Sequence, residues 1–278
     1  MILKSFSKIN LSLSVNRKLN NGLHNIQSYF CLINLFDQIE IRKIRNSRDI
    51  VKFHGKFGNN IKKTNNSILD TLKILREESV ISNYYSVLIK KRIPVFAGLG
   101  GGTSNAACIV KFLIKRKLNK NILNTLEKKI GTDISLFFFN RGFLKNLKTI
   151  KNFKARYKLY FLLVYPNIRS STKNIYSKVR KYSSSQKHEF EKTNNKAKFI
   201  KFLINKNNDL QSIVENKHPI IKKIIKEIAG KKGCYFSRMT GSGSVCYGVF
   251  KSEKTAKVAL KRIKSKYPKY WSSVAKTI

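Results

Sequence analysis

The chain has 278 residues, of which 42% are hydrophobic, and this composition supports a sizeable core and excludes global disorder. Its length fits one large domain or two domains of about 100–200 residues each. The formal net charge of +44 comes from Lys and Arg spread along the whole chain among other residues with AT-rich codons, which indicates genome composition and leaves a nucleic-acid-binding protein as a distant alternative.

No stretch of about 20 uncharged apolar residues occurs, so the sequence predicts no membrane-spanning helix. The first residues show no signal-peptide pattern, and we therefore expect a cytoplasmic protein. The four cysteines are far apart and form no CxxC pair, which favours buried reduced thiols over a disulfide or a zinc site. They are Cys31, Cys108, Cys234 and Cys246.

The chain begins with a predicted β-rich region. Polar and apolar residues alternate over residues 1–15, and in a strand this alternation places Lys8 and Asn10 on the same face. Such a polar pair within an apolar segment is either functional or part of a solvated edge. The elements predicted next are a turn at 20–24, a strand over 26–41, a helix over 66–78 and a strand over 86–93.

The glycine-rich stretch 94–107 is the most informative part of the sequence. It reads PVFAGLGGGTSNAA, and its four glycines are Gly98, Gly100, Gly101 and Gly102. A helix is predicted directly behind it, to about Lys117. A glycine loop that opens a helix collects backbone N–H groups at the positive end of the helix dipole, which makes a seat for phosphate. An ordinary flexible turn is the alternative, and the loop lacks both the lysine of a Walker A loop and the third glycine of GxGxxG.

Asp133 is the most unusual of the fourteen acidic residues. It follows a second predicted helix, over 121–130, and the residues after it are mostly apolar, in the run ISLFFF. A carboxylate in such surroundings needs a cationic or hydrogen-bonding partner. An N-cap of a short helix is one interpretation; the apolar neighbours favour a catalytic base.

The later half has the strand and helix mixture of an α+β domain. We place a domain boundary near residue 150, which predicts an N-terminal domain over 1–150 and a C-terminal domain over 151–278. A second glycine cluster, TGSGS at 240–244, is typical of a tight hairpin when taken alone. The other elements predicted are strands over 159–164, from 233 and over 245–250, a polar loop or weak helix over 178–198, and helices over 198–205, 219–229 and 252–266.

The sequence resembles the GHMP kinases in four ordered blocks that together span nearly the whole chain. PVFAGLGGGTSNAA is similar to the central family motif PxxxGLGSSAA, and SKINLSL near the start is similar to AKxNLxL. GTDISLFF is similar to GxDVPFF, and MTGSGSVCYGVF is similar to the third glycine motif. The resemblance implies an α+β, two-domain GHMP kinase fold, with an N-terminal domain like ribosomal protein S5 and a ferredoxin-like C-terminal domain, in a monomer or homodimer.

The resemblance also implies ATP and Mg²⁺ as cofactors. The family's catalytic lysine falls on Lys8 and its general base falls on Asp133. Thr103 or Ser104 is implied as the Mg²⁺ contact. The residues implied to bind ATP are Asn66, Lys91, Pro94, Ala97, Gly98, Leu99, Gly100, Gly101, Gly102, Thr103 and Ser104.

Within the family, the GGG run and the SNAA that follows are most similar to the member that phosphorylates the 2-hydroxyl of 4-diphosphocytidyl-2-C-methyl-D-erythritol on the non-mevalonate route to isoprenoids. The partners implied are this substrate and ATP, without nucleic acid or a membrane. Leu23 stands where the family has tyrosine, while His24 is suited to reading a base edge and Tyr176 to stacking on it. Mevalonate, homoserine or a sugar is the alternative substrate. The residues implied to bind substrate are Asn10, His24, Tyr176, Thr240, Gly241, Ser242 and Gly243.

Overall fold

The computed structural model describes residues 2–59, 61, 64–114, 118–187 and 190–278. The strands in these residues are β1 (Ile2–Asn10), β2 (Ser14–Lys18), β3 (His24–Ile44), β4 (Ile50–His54), β5 (Tyr84–Lys90), β6 (Arg141–Asn146), β7 (Thr149–Asn152), β8 (Tyr160–Tyr165), β9 (Cys234–Met239), β10 (Cys246–Phe250) and β11 (Trp271–Lys276).

The helices in the same residues include two short 3-10 segments, Thr132–Phe138 and Glu191–Asn194. None of the helices described is long and apolar enough to cross a membrane. The α-helices are α1 (Ser67–Glu77), α2 (Gly101–Leu113), α3 (Lys120–Ile130), α4 (Thr172–Tyr176), α5 (Lys196–Ile204), α6 (Gln211–Lys217), α7 (Ile220–Ala229) and α8 (Glu253–Lys266).

The chain divides into two compact units. Unit 1 consists of Met1–Lys8, Leu35–Val95 and Gly100–Phe139, and unit 2 consists of Ile9–Asn34, Phe96–Leu99 and Asn140–Ile278. The long strand β3 therefore contributes its second half to unit 1 and its first half to unit 2. The domain boundary near residue 150 stays a prediction.

Unit 1 contains most of β1, the second half of β3, and the strands β4 and β5. The second half of β3 pairs antiparallel with β5, which pairs in parallel with β4. Helices α1 and α2 place apolar side chains against these strands, as their helical spacing predicts. The buried cluster consists of Ile39, Ile41, Val51, Ile68, Leu72, Tyr85, Val87, Ile89 and Ile109.

Unit 2 contains an antiparallel sheet with the strand order β11-β8-β10-β9. Helix α7 packs on β9 and β10, and helix α8 packs on β8 and β11. The first half of β3 pairs with β2 and with β6, and β6 pairs with β7. Helix α8 begins at a capping box in which the Ser252 hydroxyl accepts from the N–H of Thr255.

Most predicted elements are confirmed, with shifted ends. The strand predicted over 86–93 ends at Lys90, because the N–H groups of Arg92 and Ile93 donate to the Asp37 side chain. The helix after the glycine loop ends at Leu113, and Ile114 is already extended. Its predicted end, Lys117, lies outside the described residues. The sequence analysis missed β4, β6, β7, β11, α4 and α6.

All four cysteines are free thiols. Cys31 and Cys246 are buried as predicted, whereas Cys108 and Cys234 are half-buried. Burial raises the pKa of the Cys31 thiol to about 12 and that of the Cys108 thiol to about 11, so both thiols stay protonated near neutral pH.

Candidate active site

The glycine loop opens helix α2 with a left-handed residue. Gly100 is the N-cap, with φ of 69°. A Cβ on Gly100 would lie 2.7 Å from Cζ of Phe137 and 3.3 Å from Cγ of Lys8, so only glycine fits here. The N–H of Ser104 donates to the Gly100 carbonyl at 2.8 Å, and the amides that precede it have no acceptor inside the helix. The start of α2 is therefore suited to binding an anion, and the Lys8 side chain lies beside it.

Lys8 and Asp133 form an ion pair next to this helix start. Their Nζ and Oδ2 atoms are 3.2 Å apart, and the lysine side chain is 4% exposed while the carboxylate is 37% exposed. Gly131, not Asp133, is the N-cap of the 3-10 helix, so the interpretation of Asp133 as a helix cap is wrong. Asp133 thus has the cationic partner that its apolar neighbours demand, and it keeps an accessible carboxylate.

A second ion pair, between Lys91 and Asp37, is fully buried beneath the loop. One Asp37 oxygen accepts from the N–H groups of Arg92 at 2.7 Å and Ile93 at 2.9 Å. The other oxygen contacts the Lys91 ammonium and accepts from the Asn105 amide at 3.1 Å. Burial lowers the pKa of Lys91, and the negative charge of Asp37 opposes that shift. The pair joins the entry of the glycine loop to the first turn of α2.

The same network continues into β1. The Asn105 amide donates to the Ser5 hydroxyl at 2.9 Å, and the Ser104 hydroxyl donates to the Phe6 carbonyl at 2.6 Å. Ser5 and Ser104 share a further hydrogen bond of 2.7 Å. These bonds fix β1 against α2 two residues before Lys8, and they occupy the Ser104 hydroxyl.

The start of helix α1 also lies at the glycine loop. Asn66 is its N-cap and accepts from the N–H groups of Ile68 and Leu69. The Ser67 hydroxyl donates to the Gly102 carbonyl at 3.3 Å. A second helix N-terminus is thereby placed beside the exposed Gly102 and the half-buried Thr103.

Residues 96–99 pack against the TGSGS loop in unit 2. A Cβ on Gly98, whose φ is 80°, would lie 2.2 Å from the Thr240 carbonyl oxygen. The Ala97 carbonyl accepts from the N–H of Val245 at 3.1 Å. Pro94, Ala97 and Leu99 are buried, so these predicted ATP residues shape the loop. Phe96, which the sequence analysis did not single out, is exposed and has a φ of 53°.

Asn10 is tied into the same loop. Its N–H donates to the Thr240 hydroxyl at 3.0 Å, and its side-chain amide donates to the Ser28 hydroxyl at 2.8 Å. The Ser242 and Thr172 hydroxyls share a hydrogen bond of 2.9 Å. Lys8 and Asn10 are both buried, so the alternative of a solvated strand edge is wrong. TGSGS is more than a hairpin, because its residues bind side chains from distant parts of unit 2.

His24 lies in an aromatic group of unit 2. Its ring centroid is 5.2 Å from that of Tyr176 and 6.4 Å from that of Tyr182. Desolvation by burial, and then the positive charge of Lys18, lower the pKa of the His24 imidazole. The structure thus brings together His24 and Tyr176, which the sequence analysis had paired, and adds Tyr182.

No cluster of three or more His, Cys, Asp or Glu side chains able to hold a metal ion occurs in the described part of the chain. The groups near the helix start are instead the backbone amides of α2, the Thr103 hydroxyl in its first turn, and the Lys8 ammonium with its partner, the Asp133 carboxylate. This set is suited to an anionic ligand that carries its own cation.

Comparison with known proteins shows the family of the chain. The GHMP kinases N terminal domain model matches residues 61–140, and the GHMP kinases C terminal model matches residues 193–269. A 4-diphosphocytidyl-2-C-methyl-D-erythritol kinase from Pelagibacter ubique is 37% identical over 99% of this chain and 98% of its own length. The chain belongs to the GHMP kinase family.

A second relative with the same name, from Wolbachia pipientis wMel, is 33% identical over 96% of this chain and 95% of its own length. A crystal structure of 4-(cytidine 5'-diphospho)-2C-methyl-D-erythritol kinase superposes with a TM-score of 0.75 at 20% identity, covering 99% of both chains. The α+β GHMP kinase fold expected from the sequence is confirmed. Membership of this family supports ATP as the phosphoryl donor and a small molecule as the acceptor.

Proposed function

We propose that this GHMP kinase transfers the γ-phosphoryl group of ATP to the 2-hydroxyl of 4-diphosphocytidyl-2-C-methyl-D-erythritol, on the non-mevalonate route to isoprenoid precursors. The names of relatives that are 33–37% identical over almost the whole chain support this substrate. The observation that carries the chemistry is the Lys8–Asp133 pair at 3.2 Å, with Lys8 beside the start of α2.

In this proposal Asp133 is the general base. Its carboxylate accepts the proton of the substrate hydroxyl as the oxygen attacks the phosphorus atom. The Lys8 ammonium stabilises the negative charge that develops on the transferred group, and the amides at the start of α2 bind phosphate oxygens. Because the Lys8 side chain is buried, its charge is weakly screened by water and acts strongly on that group.

The phosphates of ATP would lie on the amides from Gly98 to Ser104. Thr103 is the better of the two hydroxyls for Mg²⁺, because the Ser104 hydroxyl is buried and bonded to Phe6 and Ser5. Mg²⁺ would neutralise charge on the phosphates. Lys91 would hold the glycine loop in position, since its ammonium is buried against Asp37. Asn66 would act by capping α1.

In unit 2, His24, Tyr176, Asn10 and the loop 240–243 would bind the cytidine diphosphate part of the substrate. A neutral imidazole offers one donor and one acceptor, which suits the edge of a pyrimidine base. The lowered pKa of His24 supports this neutral form at pH 7. The overall positive charge would favour an anionic substrate electrostatically. A cytoplasmic location and a monomer or homodimer stay predictions.

The test is a substrate panel at fixed ATP and Mg²⁺. The purified protein is offered the cytidyl substrate, mevalonate, homoserine and galactose, and phosphorylated product is measured. We expect turnover of the cytidyl compound alone. Phosphorylation of mevalonate, homoserine or galactose without the cytidyl compound would overturn the substrate. Tight, salt-dependent binding to unrelated duplexes without any kinase activity would favour a nucleic-acid-binding protein.

A further inference from the structure

Asp133 lies in a long 3-10 helix that has little support of its own. The helix spans the seven residues Thr132–Phe138, whereas runs longer than about 3–4 residues are uncommon because their hydrogen bonds have poorer geometry. Gly131 is both the C-cap of α3 and the N-cap of this helix, and its φ is 127°. A single conformationally permissive glycine therefore joins the two helices. The proposed general base needs support from outside its own helix.

Glu127 in α3 provides such support at two points. Its backbone carbonyl accepts from the N–H of Gly131 at 3.1 Å. Its carboxylate accepts from the hydroxyl of Ser135, which is buried. A hydrogen bond to a carboxylate is about twice as strong as one between neutral groups. Asp133 is thus held between two positions, 131 and 135, that are both bonded to Glu127.

The hydroxyl at position 135 differs from the family block. GTDISLFF is similar to GxDVPFF, and Ser135 stands where that block has proline. A proline fixes its own φ, so it stiffens the chain without a partner. A serine leaves φ free, and here its bond to Glu127 supplies the restraint instead.

The far end of the 3-10 helix is held separately, by α2. The Lys111 ammonium donates to the Phe137 carbonyl. The Phe137 ring lies against Gly100, where a Cβ would be 2.7 Å from Cζ of the ring. Loss of the Glu127 carboxylate would therefore release mainly the end that carries Asp133, while the other end stays attached to α2.

We propose that Glu127 is a positioning residue for phosphoryl transfer, which holds the Asp133 carboxylate in place through its bond to Ser135. A general base must lie within hydrogen-bond distance of the proton that it removes, and a displacement of about 1 Å can lower the rate about 10²-fold. Glu127 acts on this distance and takes no part in the proton transfer itself. The inference rests on the proposed function, because it concerns the base of that reaction.

The main test is steady-state kinetics of Glu127→Ala. We expect kcat to fall about 10–100-fold, while KM for ATP and KM for the cytidyl substrate change little. Ser135→Ala removes the donor of the same bond and should lower kcat to a similar extent. It leaves no buried hydroxyl without a partner, so it tests the bond even if Glu127→Ala is unstable. Glu127→Gln keeps an acceptor for the hydroxyl, so its kcat should fall far less.

Glu78→Ala is the matched control. The Glu78 carboxylate accepts from the Thr125 hydroxyl at 3.5 Å, which is again a bond between a glutamate and a hydroxyl group. This bond joins α3 to the end of α1, and neither residue belongs to the helix that carries Asp133. The kcat of Glu78→Ala should equal that of wild type.

A double variant separates positioning from general disruption. Adding Glu127→Ala to Asp133→Asn should lower kcat no further, because the base that Glu127 positions is already absent. A further tenfold loss in the double variant would overturn the role of Glu127. Wild-type kcat in both Glu127→Ala and Ser135→Ala, or equal losses in Glu127→Ala and Glu127→Gln, would overturn it as well. Absence of any cytidyl kinase activity in the wild type would instead overturn the proposed function.

Discussion

Unit 1 contains two lysine–aspartate pairs in very different surroundings. Lys91 and Asp37 are both buried, and the two Asp37 oxygens accept from two backbone N–H groups, the Asn105 amide and the Lys91 ammonium. Lys8 and Asp133 are farther apart, and the Asp133 side chain is 37% exposed. The first carboxylate has every oxygen occupied by donors from the protein, whereas the second can still meet a ligand.

This difference bears on the proposal that Asp133 is the general base. A lysine partner alone does not distinguish the two aspartates, since both have one. Accessibility does, because a general base must come within hydrogen-bond distance of the proton that it removes. The buried pair instead holds the glycine loop in place. Two substitutions test this division, and a third prediction, with the smallest expected effect, concerns the pKa of His24 in unit 2.

The largest effect is expected for Lys91→Met. The substitution leaves the Asp37 charge buried without a cation, and breaking a buried ion pair in this way costs about 3–5 kcal/mol. Urea denaturation should therefore show a much lower free energy of unfolding than in wild type. A variant as stable as wild type would mean that the buried pair does not hold the loop.

Lys8→Met makes the same substitution at the other pair and is expected to affect catalysis. Asp133 remains partly solvated, so stability should change little, while loss of the charge that stabilises the transferred group should lower kcat by about 10²–10³-fold. Steady-state kinetics and urea denaturation of the same preparation measure both quantities. A stable variant with wild-type kcat would show that Lys8 has no part in the chemistry.

The smallest effect concerns pH and His24. Because burial and Lys18 lower the pKa of the folded imidazole, the unfolded chain takes up a proton near pH 6.5 while the folded protein does not. Stability is therefore retained above that pH and decreases as the pH falls through it, until the folded histidine is also protonated. The free energy of unfolding should fall more between pH 7.5 and 5.5 in wild type than in His24→Gln. Equal losses would contradict the lowered pKa.

Three features were predictable from sequence, because each depends on residues that are neighbours in the chain. They are the glycine loop, helix α2 and the need of Asp133 for a cationic partner. The partner of Lys91 was not predictable, since Asp37 is 54 residues away and lies in a strand that reads as ordinary β structure. One signal was present, namely an acidic residue within the apolar run LINLFDQI. Burial of both partners follows only from the packing of β3 against the start of α2.

Tyr182 was missed for a related reason. Its segment is polar and rich in lysine and serine, which predicts a surface loop, and the loop is held by pairs such as Gln27 with Gln186 that are 159 residues apart. Strands β4 and β11 were missed because they have only five and six residues, and such short strands depend on pairing with distant neighbours. Local patterns therefore predicted the candidate catalytic residues, and long-range contacts could not be predicted from them.

The most direct test of the central claim is kcat for Asp133→Asn, measured beside ATP affinity and the free energy of unfolding, with Asp37→Asn as the matched variant. Asp133→Asn is expected to lose about 10²–10⁴-fold in kcat with nearly unchanged stability and ATP affinity. Asp37→Asn is expected to lose stability first, because its lysine is left buried without a counter-charge. Full activity in a stably folded Asp133→Asn protein would contradict the account.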